Sequence, residues 1–168
     1  MAHHSLLAAT MGGLFLTLLA VAGMETSVTL HARDRFNFRQ IDMSYLFLFM
    51  GAIVAVIQGG IIGKLARAVG EKTLIIAGMV AFTIGFAAVP EVYAVPLLYG
   101  VAFFIAMGQS LTYPSLTSLI SKAAPPNERG SMLGLATAVG SLARFIGPIA
   151  AGFLYDRAGA HGAFYGAA

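Results

Sequence analysis

The sequence has no cysteine, which excludes a disulfide framework and any thiolate metal site. Charge is scarce as well. Only 10% of the 168 residues are Asp, Glu, Lys or Arg, against ~25% in soluble domains. A soluble globule of this length has more surface than so few charges can cover. Hydrophobic residues make up 58% of the chain, which excludes a disordered or collagen-like polymer. A membrane protein or an obligate oligomer with an extreme core remains.

The placement of the charges separates these two. Ten are basic and seven acidic. All but Glu25 and Arg144 fall in five short groups: Arg33, Asp34, Arg35, Arg39 and Asp42; Lys64, Arg67, Glu71 and Lys72; Glu91; Lys122, Glu128 and Arg129; Asp156 and Arg157. Between them run apolar stretches over about 6–30, 43–63, 73–90, 92–121 and 130–155. Each approaches or exceeds the ~20 residues that a bilayer-spanning helix needs. The reading is an all-α membrane protein with five complete transmembrane helices. A Gly/His-rich turn at 158–162 precedes a sixth apolar run, 163–168, which stops within its element. The expectation is therefore a fragment of a longer frame, with the lipid bilayer as first partner.

Other readings of the same residues are weaker. Residues 1–22 contain a short apolar core and Ala20-Val21-Ala22, as a secretory signal would. The basic flank is missing, however, and the apolar run continues to Leu30. The pI near 9.5 suggests nucleic acid only if basic residues share a water-facing surface, and here they are spread over short loops. No nucleic-acid partner is expected. There is no H-E-x-x-H, G-x-S-x-G or P-loop. His31 and His161 are expected in loops, and His3 and His4 lie at the terminus. No enzyme activity, cofactor or metal site is expected.

Alternating spans put five Lys and Arg on one side and four on the other, so the positive-inside rule gives no orientation. Motifs supply more. The segment Gly63-Lys64-Leu65-Ala66-Arg67-Ala68-Val69-Gly70-Glu71-Lys72 resembles the G-x-L-A-D-R-x-G-R-K signature of the major facilitator superfamily. Gly63, Leu65, Ala66, Gly70 and Lys72 match; Arg67, Ala68 and Glu71 replace Asp, Arg and Arg. Gly63 and Gly70 would permit a tight turn and close helix approach. Lys64, Arg67 and Lys72 suit an anionic lipid surface. The last span carries Ala143, Gly147, Pro148, Ala151 and Gly152, which resembles a relaxed G-x-x-x-G-P-x-x-G-G motif of drug/proton antiporters. Small residues four apart admit a neighbouring helix and Pro148 can bend its own. A kinked packing surface without a transport role is an equal reading of those residues. Pro126-Asn127-Glu128-Arg129-Gly130 with Gly134, and Asp34-Arg35-Phe36, resemble loops of tetracycline-type exporters.

The resemblance implies half of a twelve-helix fold: the C-terminal six-helix bundle of an alternating-access transporter. Its partners would be the N-terminal half and a small-molecule substrate. It implies proton-coupled efflux of small organic compounds across the plasma (cytoplasmic) membrane, with 64–72 and 122–129 cytoplasmic. Alternatives are a carrier of a sugar, metabolite or organic ion, or a non-transporting relative. An Arg within a span costs ~2.5–3.5 kcal/mol to insert, so it marks function by default. Arg144 shares a helix face with Thr137 and Ser141. It is a candidate for substrate or anion contact, or for pairing with carbonyls or a carboxylate. Gly140 and Gly147 would leave room on that side. Glu25 is the proton-coupling candidate; an interfacial Glu pairing with Arg33 or Arg35 is the plainer reading. Gln58, Gln109, Thr112 and Tyr113 are cavity candidates, or else hydrogen-bond between helices.

Overall fold

The structure, a computed structural model, describes residues 2–165, with backbone only at 2–6, 160–163 and 165. Six α-helices follow in order: α1 (Ala2–Phe36), α2 (Gln40–Val56), α3 (Ile62–Val69), α4 (Glu71–Ala88), α5 (Val95–Ala123) and α6 (Arg129–Tyr165). A π turn, Ile57–Ile61, joins α2 to α3. Five spans are long and apolar enough to cross a bilayer: Leu7–Phe36, Gln40–Val69, Glu71–Glu91, Val95–Ala123 and Arg129–Gly159. The protein is all-helical among the described residues, and the bundle is that of a multi-pass membrane protein. Of the expected sixth run, residues 166–168 lie outside the described part.

The spans are longer than the apolar runs. The span Leu7–Phe36 has 30 residues, which is about 45 Å of helix against ~30 Å of hydrocarbon. Its surplus turns hold Arg33, Asp34 and Arg35, expected in a loop but placed on the last turn of α1. Lys64 and Arg67 lie in α3, Lys122 in the last turn of α5, and Asp156 and Arg157 in α6. A helix keeps its backbone hydrogen-bonded as it enters the interface, so charge there need not end it. His31 is likewise in α1, 7% exposed, with its ring edge-on to Phe36 and Phe164.

The connections shrink accordingly. Residues 37–39 join α1 to α2, where Arg39 N–H donates to Asp42 Oδ2 at 2.9 Å and caps α2. Between α3 and α4 stands Gly70 alone, at φ 81°. That left-handed backbone favours glycine, so the expected turn rests on Gly70. Gly63 has no such demand: it is helical, and a Cβ placed on it would meet nothing within 4 Å. Gly159, at φ 65°, makes the kink that ends the fifth span.

Two seams hold the bundle. Along the first, α6 runs parallel to α1: Gly140 faces Leu18, Gly147 meets Leu19 O and Gly23, and Ala151 meets Gly23. Ala143 is fully buried in the same line. Gly140 and Gly147 thus make room for α1 and not for a cavity, a correction to their expected role. Along the second, α4 meets α5 through Gly78, Gly85 and Gly108. Backbones approach closely where no Cβ intervenes, which is how helices associate in lipid. Around these seams lie two buried clusters. One gathers Met24, Leu46, Phe86, Leu98 and Ile105; the other joins Leu14, Leu116, Ile120 and Ala143.

Gly78→Val tests the second seam. Its new Cβ would stand 2.9 Å from Gly108 O, an overpacking worth about 1–3 kcal/mol. A clear fall in the melting temperature of detergent-solubilised protein is expected, whereas Gly51→Val, in open space, should leave it nearly unchanged.

Candidate functional site

The first span turns Glu25 to an open face. The carboxylate is exposed in this chain and shares a crevice of about 440 Å³ with Phe47, Met50, Gly51 and Val54 of α2 and Gln109 of α5. A second crevice, about 380 Å³, shares Glu25 and Phe47 and adds Thr26, Thr29 and Leu30. Helical spacing explains the lining: 47, 50/51 and 54 fall on one stripe of α2. Thr26 and Thr29 hydroxyls donate to the carbonyls of Ala22 and Glu25, so their donors are already used. Glu25 and Gln109 are then the polar groups that face an otherwise apolar wall.

Because α1 continues to Phe36, Glu25 lies well inside its span and not at its outer end. Arg144, the other charge within a span, lies on α6, the helix packed against α1. The α1–α6 seam decides which residues of α6 stay exposed. Small residues at 140, 143, 147 and 151 turn inward to α1, and Thr137, Ser141 and Arg144 are left exposed beside it. Both hydroxyls are satisfied along the helix, Thr137 on Leu133 O at 2.9 Å and Ser141 on Thr137 O at 3.0 Å. Arg144 is thereby the polar group of that face with donors to offer.

The other candidates divide. Tyr113 is 37% exposed, but Thr112 is fully buried against Gly78, and its hydroxyl has no hydrogen-bond partner among the described residues. Successive residues are about 100° apart on a helix, so Thr112 faces α4 when Tyr113 does not. Thr112 therefore leaves the crevice lining. Gln58 is exposed in the π turn, outside both crevices. Pro148 and Gly152 follow on α6; Gly152 has no neighbour within 4 Å of its Cβ position.

The loop motif sits at one end of the bundle. Leu65 and Ala66 are half-buried, and Arg67 is exposed, on α3. Lys72 and Glu71 open α4. Glu71, which stands where the signature has Arg, accepts hydrogen bonds from Ser118 Oγ at 3.1 Å and from Lys122 Nζ of α5. At the opposite end Tyr155 OH donates to Asp34 Oδ2 at 3.0 Å. Neither tie was expected from the sequence, since partners 47 to 121 residues apart leave no local signal. The glycine seam between α4 and α5 did leave one: Gly78 and Gly85 stand two turns apart on one face.

Residues 10–168 match the Major Facilitator Superfamily. The chain belongs to this superfamily. Among its relatives, mouse major facilitator superfamily domain-containing protein 10 is 26% identical over 150 residues, covering 89% of this chain and 33% of that protein. Rat solute carrier family 22 member 18 is 29% identical over 147 residues, covering 85% and 32%. The class D tetracycline resistance protein of Salmonella ordonez is 25% identical over 144 residues, covering 85% and 36%. The chain spans about a third of the length of these curated relatives. The crystal structure described as the human organic anion transporter MFSD10 (TETRAN) superposes with a TM-score of 0.91 at 24% identity, covering 97% of this chain and 38% of that one. The helical bundle is thus a major facilitator fold, and the protein is an integral multi-pass member of a transporter superfamily.

The two faces of α6 give a direct test. With no native cysteine, single cysteines at 137, 141 and 144 should react with a charged, water-soluble thiol reagent in membranes. Cysteine at 143, buried against α1, should stay at least about tenfold slower, since reaction needs an exposed thiolate. Equal rates at all four positions would contradict the division of faces.

Proposed function

We propose that this chain is one wall of a secondary transporter that moves small organic compounds by alternating access, with efflux coupled to protons. The observation that carries the reading is Glu25, a carboxylate well inside a span, which lines an apolar crevice, while Arg144 stands exposed on the helix packed against α1. Superfamily membership supports it. In transporters of this type substrate and ion sites lie near the bilayer midplane at the interface of two repeats. The open face of α1, α2, α5 and α6 would then meet the N-terminal half, as the resemblance implies. Phe47, Met50 and Val54 provide area for an apolar body, and Gln109 a hydrogen bond. Arg144 provides an anion contact, and Glu25 is the proton carrier. Segments 64–72 and 122–129 are assigned to the cytoplasm and the membrane to the plasma membrane.

The chemistry of exchange follows from Glu25. A carboxylate beside an apolar wall is costly to keep charged, and a neighbouring cation or a proton relieves that cost. Proton binding and release at Glu25 therefore changes the charge that a substrate meets next to Arg144. A site with an exposed guanidinium also accommodates an organic anion, the substrate class named for human MFSD10. The exporter reading and the organic-anion reading differ in substrate and share the site.

Flux through membrane vesicles carrying the transporter that contains this chain tests the proposal. Substrate-dependent proton movement is expected for some member of a broad panel of organic cations, neutral drugs and anions. Arg144→Ala should lower flux by at least about tenfold while the protein still inserts, a loss of ~1.4 kcal/mol or more. Glu25→Gln should abolish the response to a proton gradient and retain exchange of substrate across the membrane. Full flux in Arg144→Ala, or proton-driven flux in Glu25→Gln, would overturn the assignment of that residue.

A further inference from the structure

The second span is two helices joined by a π turn. In Ile57–Ile61 the helical ladder widens, and Ile62 N–H donates to Ile57 O, five residues back. Such a turn holds one extra residue, is rare, and is frequent at functional sites. Its sequence, Ile-Gln-Gly-Gly-Ile, contains two adjacent glycines, the poorest helix formers after proline. Gly59 and Gly60 are exposed, and a Cβ on either would meet nothing within 4 Å. Neither is there to admit a neighbour, in contrast to Gly78 or Gly147. What the pair contributes is bare, easily bent backbone.

The two sides of the turn differ in anchorage. On one side α2 buries Met43, Leu46 and Met50 in the core. On the other, α3 buries no residue. A crevice of about 180 Å³ lies between α3 and α5, with Ile62, Gly63 and Ala66 on one wall, Pro114, Ser115 and Ser118 on the other, and Glu71 at its end. Beyond Ile62 at its start, the α3 wall is made of the small residues Gly63 and Ala66, which leave room for a closer approach. At the far end of α3 the single residue Gly70 leads to Glu71, which is tied to Ser118 and Lys122 of α5. The segment is thus bendable at the π turn, only half-buried along its length at Leu65 and Ala66, and tied beyond its end.

We propose that the chain bends at Ile57–Ile61 and at Gly70, so that α3 between them moves toward α5 and closes this crevice while Glu71 stays tied to α5. The purpose of the motion, narrowing one end of the transport path, rests on the transporter reading; the motion itself does not. Gly63 and Ala66 then have a role that the signature alone does not explain: they are the surface that closes.

The absence of native cysteine makes the motion measurable. In membranes, spin labels on Ala68→Cys and Ser121→Cys should give a broad or two-component distance distribution. Gly59→Ala with Gly60→Ala should collapse it to one narrow component. In parallel, oxidative cross-linking of Ala66→Cys to Ser115→Cys, both in the crevice, should proceed in the glycine background. It should slow about twentyfold when both glycines become alanine, the factor expected from two Gly→Ala changes in a helix. Gly51→Ala, in open space within α2, should change neither readout. An identical distribution and cross-linking rate with and without the two glycines would overturn the hinge, as would failure of the 66–115 pair to cross-link at all. Absent flux with both readouts as expected would count against the transporter reading and leave the hinge standing.

Discussion

Hydrocarbon cannot solvate a charge, and this constraint orders the whole molecule. Most ionised groups sit where the helices leave the apolar slab. Glu25 and Arg144 lie within spans, exposed on two helices that pack against each other. That placement depends on a packing choice. The glycine and alanine line of α6 is used up against α1, so the polar line of the same helix is turned outward. Replace the small residues with large ones and the two helices would part. The seam and the site are therefore one feature, read from its two sides.

This explains how the same stretch of α6 carries both a packing motif and an exposed arginine, the residue proposed for transport. Ala143 is fully buried and Arg144, the next residue, is exposed. One helical step of about 100° separates helix association from solvent-facing chemistry. The α4–α5 seam has no such second face: Gly78, Gly85 and Gly108 serve close approach, and the buried Thr112 hydroxyl beside Gly78 makes no bond among the described residues. The first seam belongs to the site, and the second is the scaffold that holds α5, and with it Gln109, in place.

The spans, their order and the two charges within them were legible in the sequence, because hydropathy and charge are properties of single segments. Helix ends were not. Apolar runs stop at the edge of the hydrocarbon, whereas α1 continues through Arg33 to Phe36 because its backbone bonds do not depend on the side chains. Gly70 was readable as a turn, and Gly63, equally glycine, was not distinguishable from it without the backbone angles. Thr112 looked like Gln109 and Tyr113 because a spacing of three or four fixes a helix face only to within a broad sector. Charge within an apolar run identified Glu25 and Arg144 as exceptional, but that their helices pack on each other, with both residues left exposed, is a relation between segments far apart in the chain. The Gly59-Gly60 pair was visible, but glycine is common here, and its meaning came from the π turn around it.

The central claim is that Glu25 and Arg144 work as one unit. A double-mutant cycle on substrate affinity measures this directly, by comparing Glu25→Gln, Arg144→Ala and both together with the unmodified transporter. Residues that act as a unit are strongly non-additive. The account predicts that the double variant is about as impaired as the worse single variant. Losses that multiply, as for two independent sites, would contradict it.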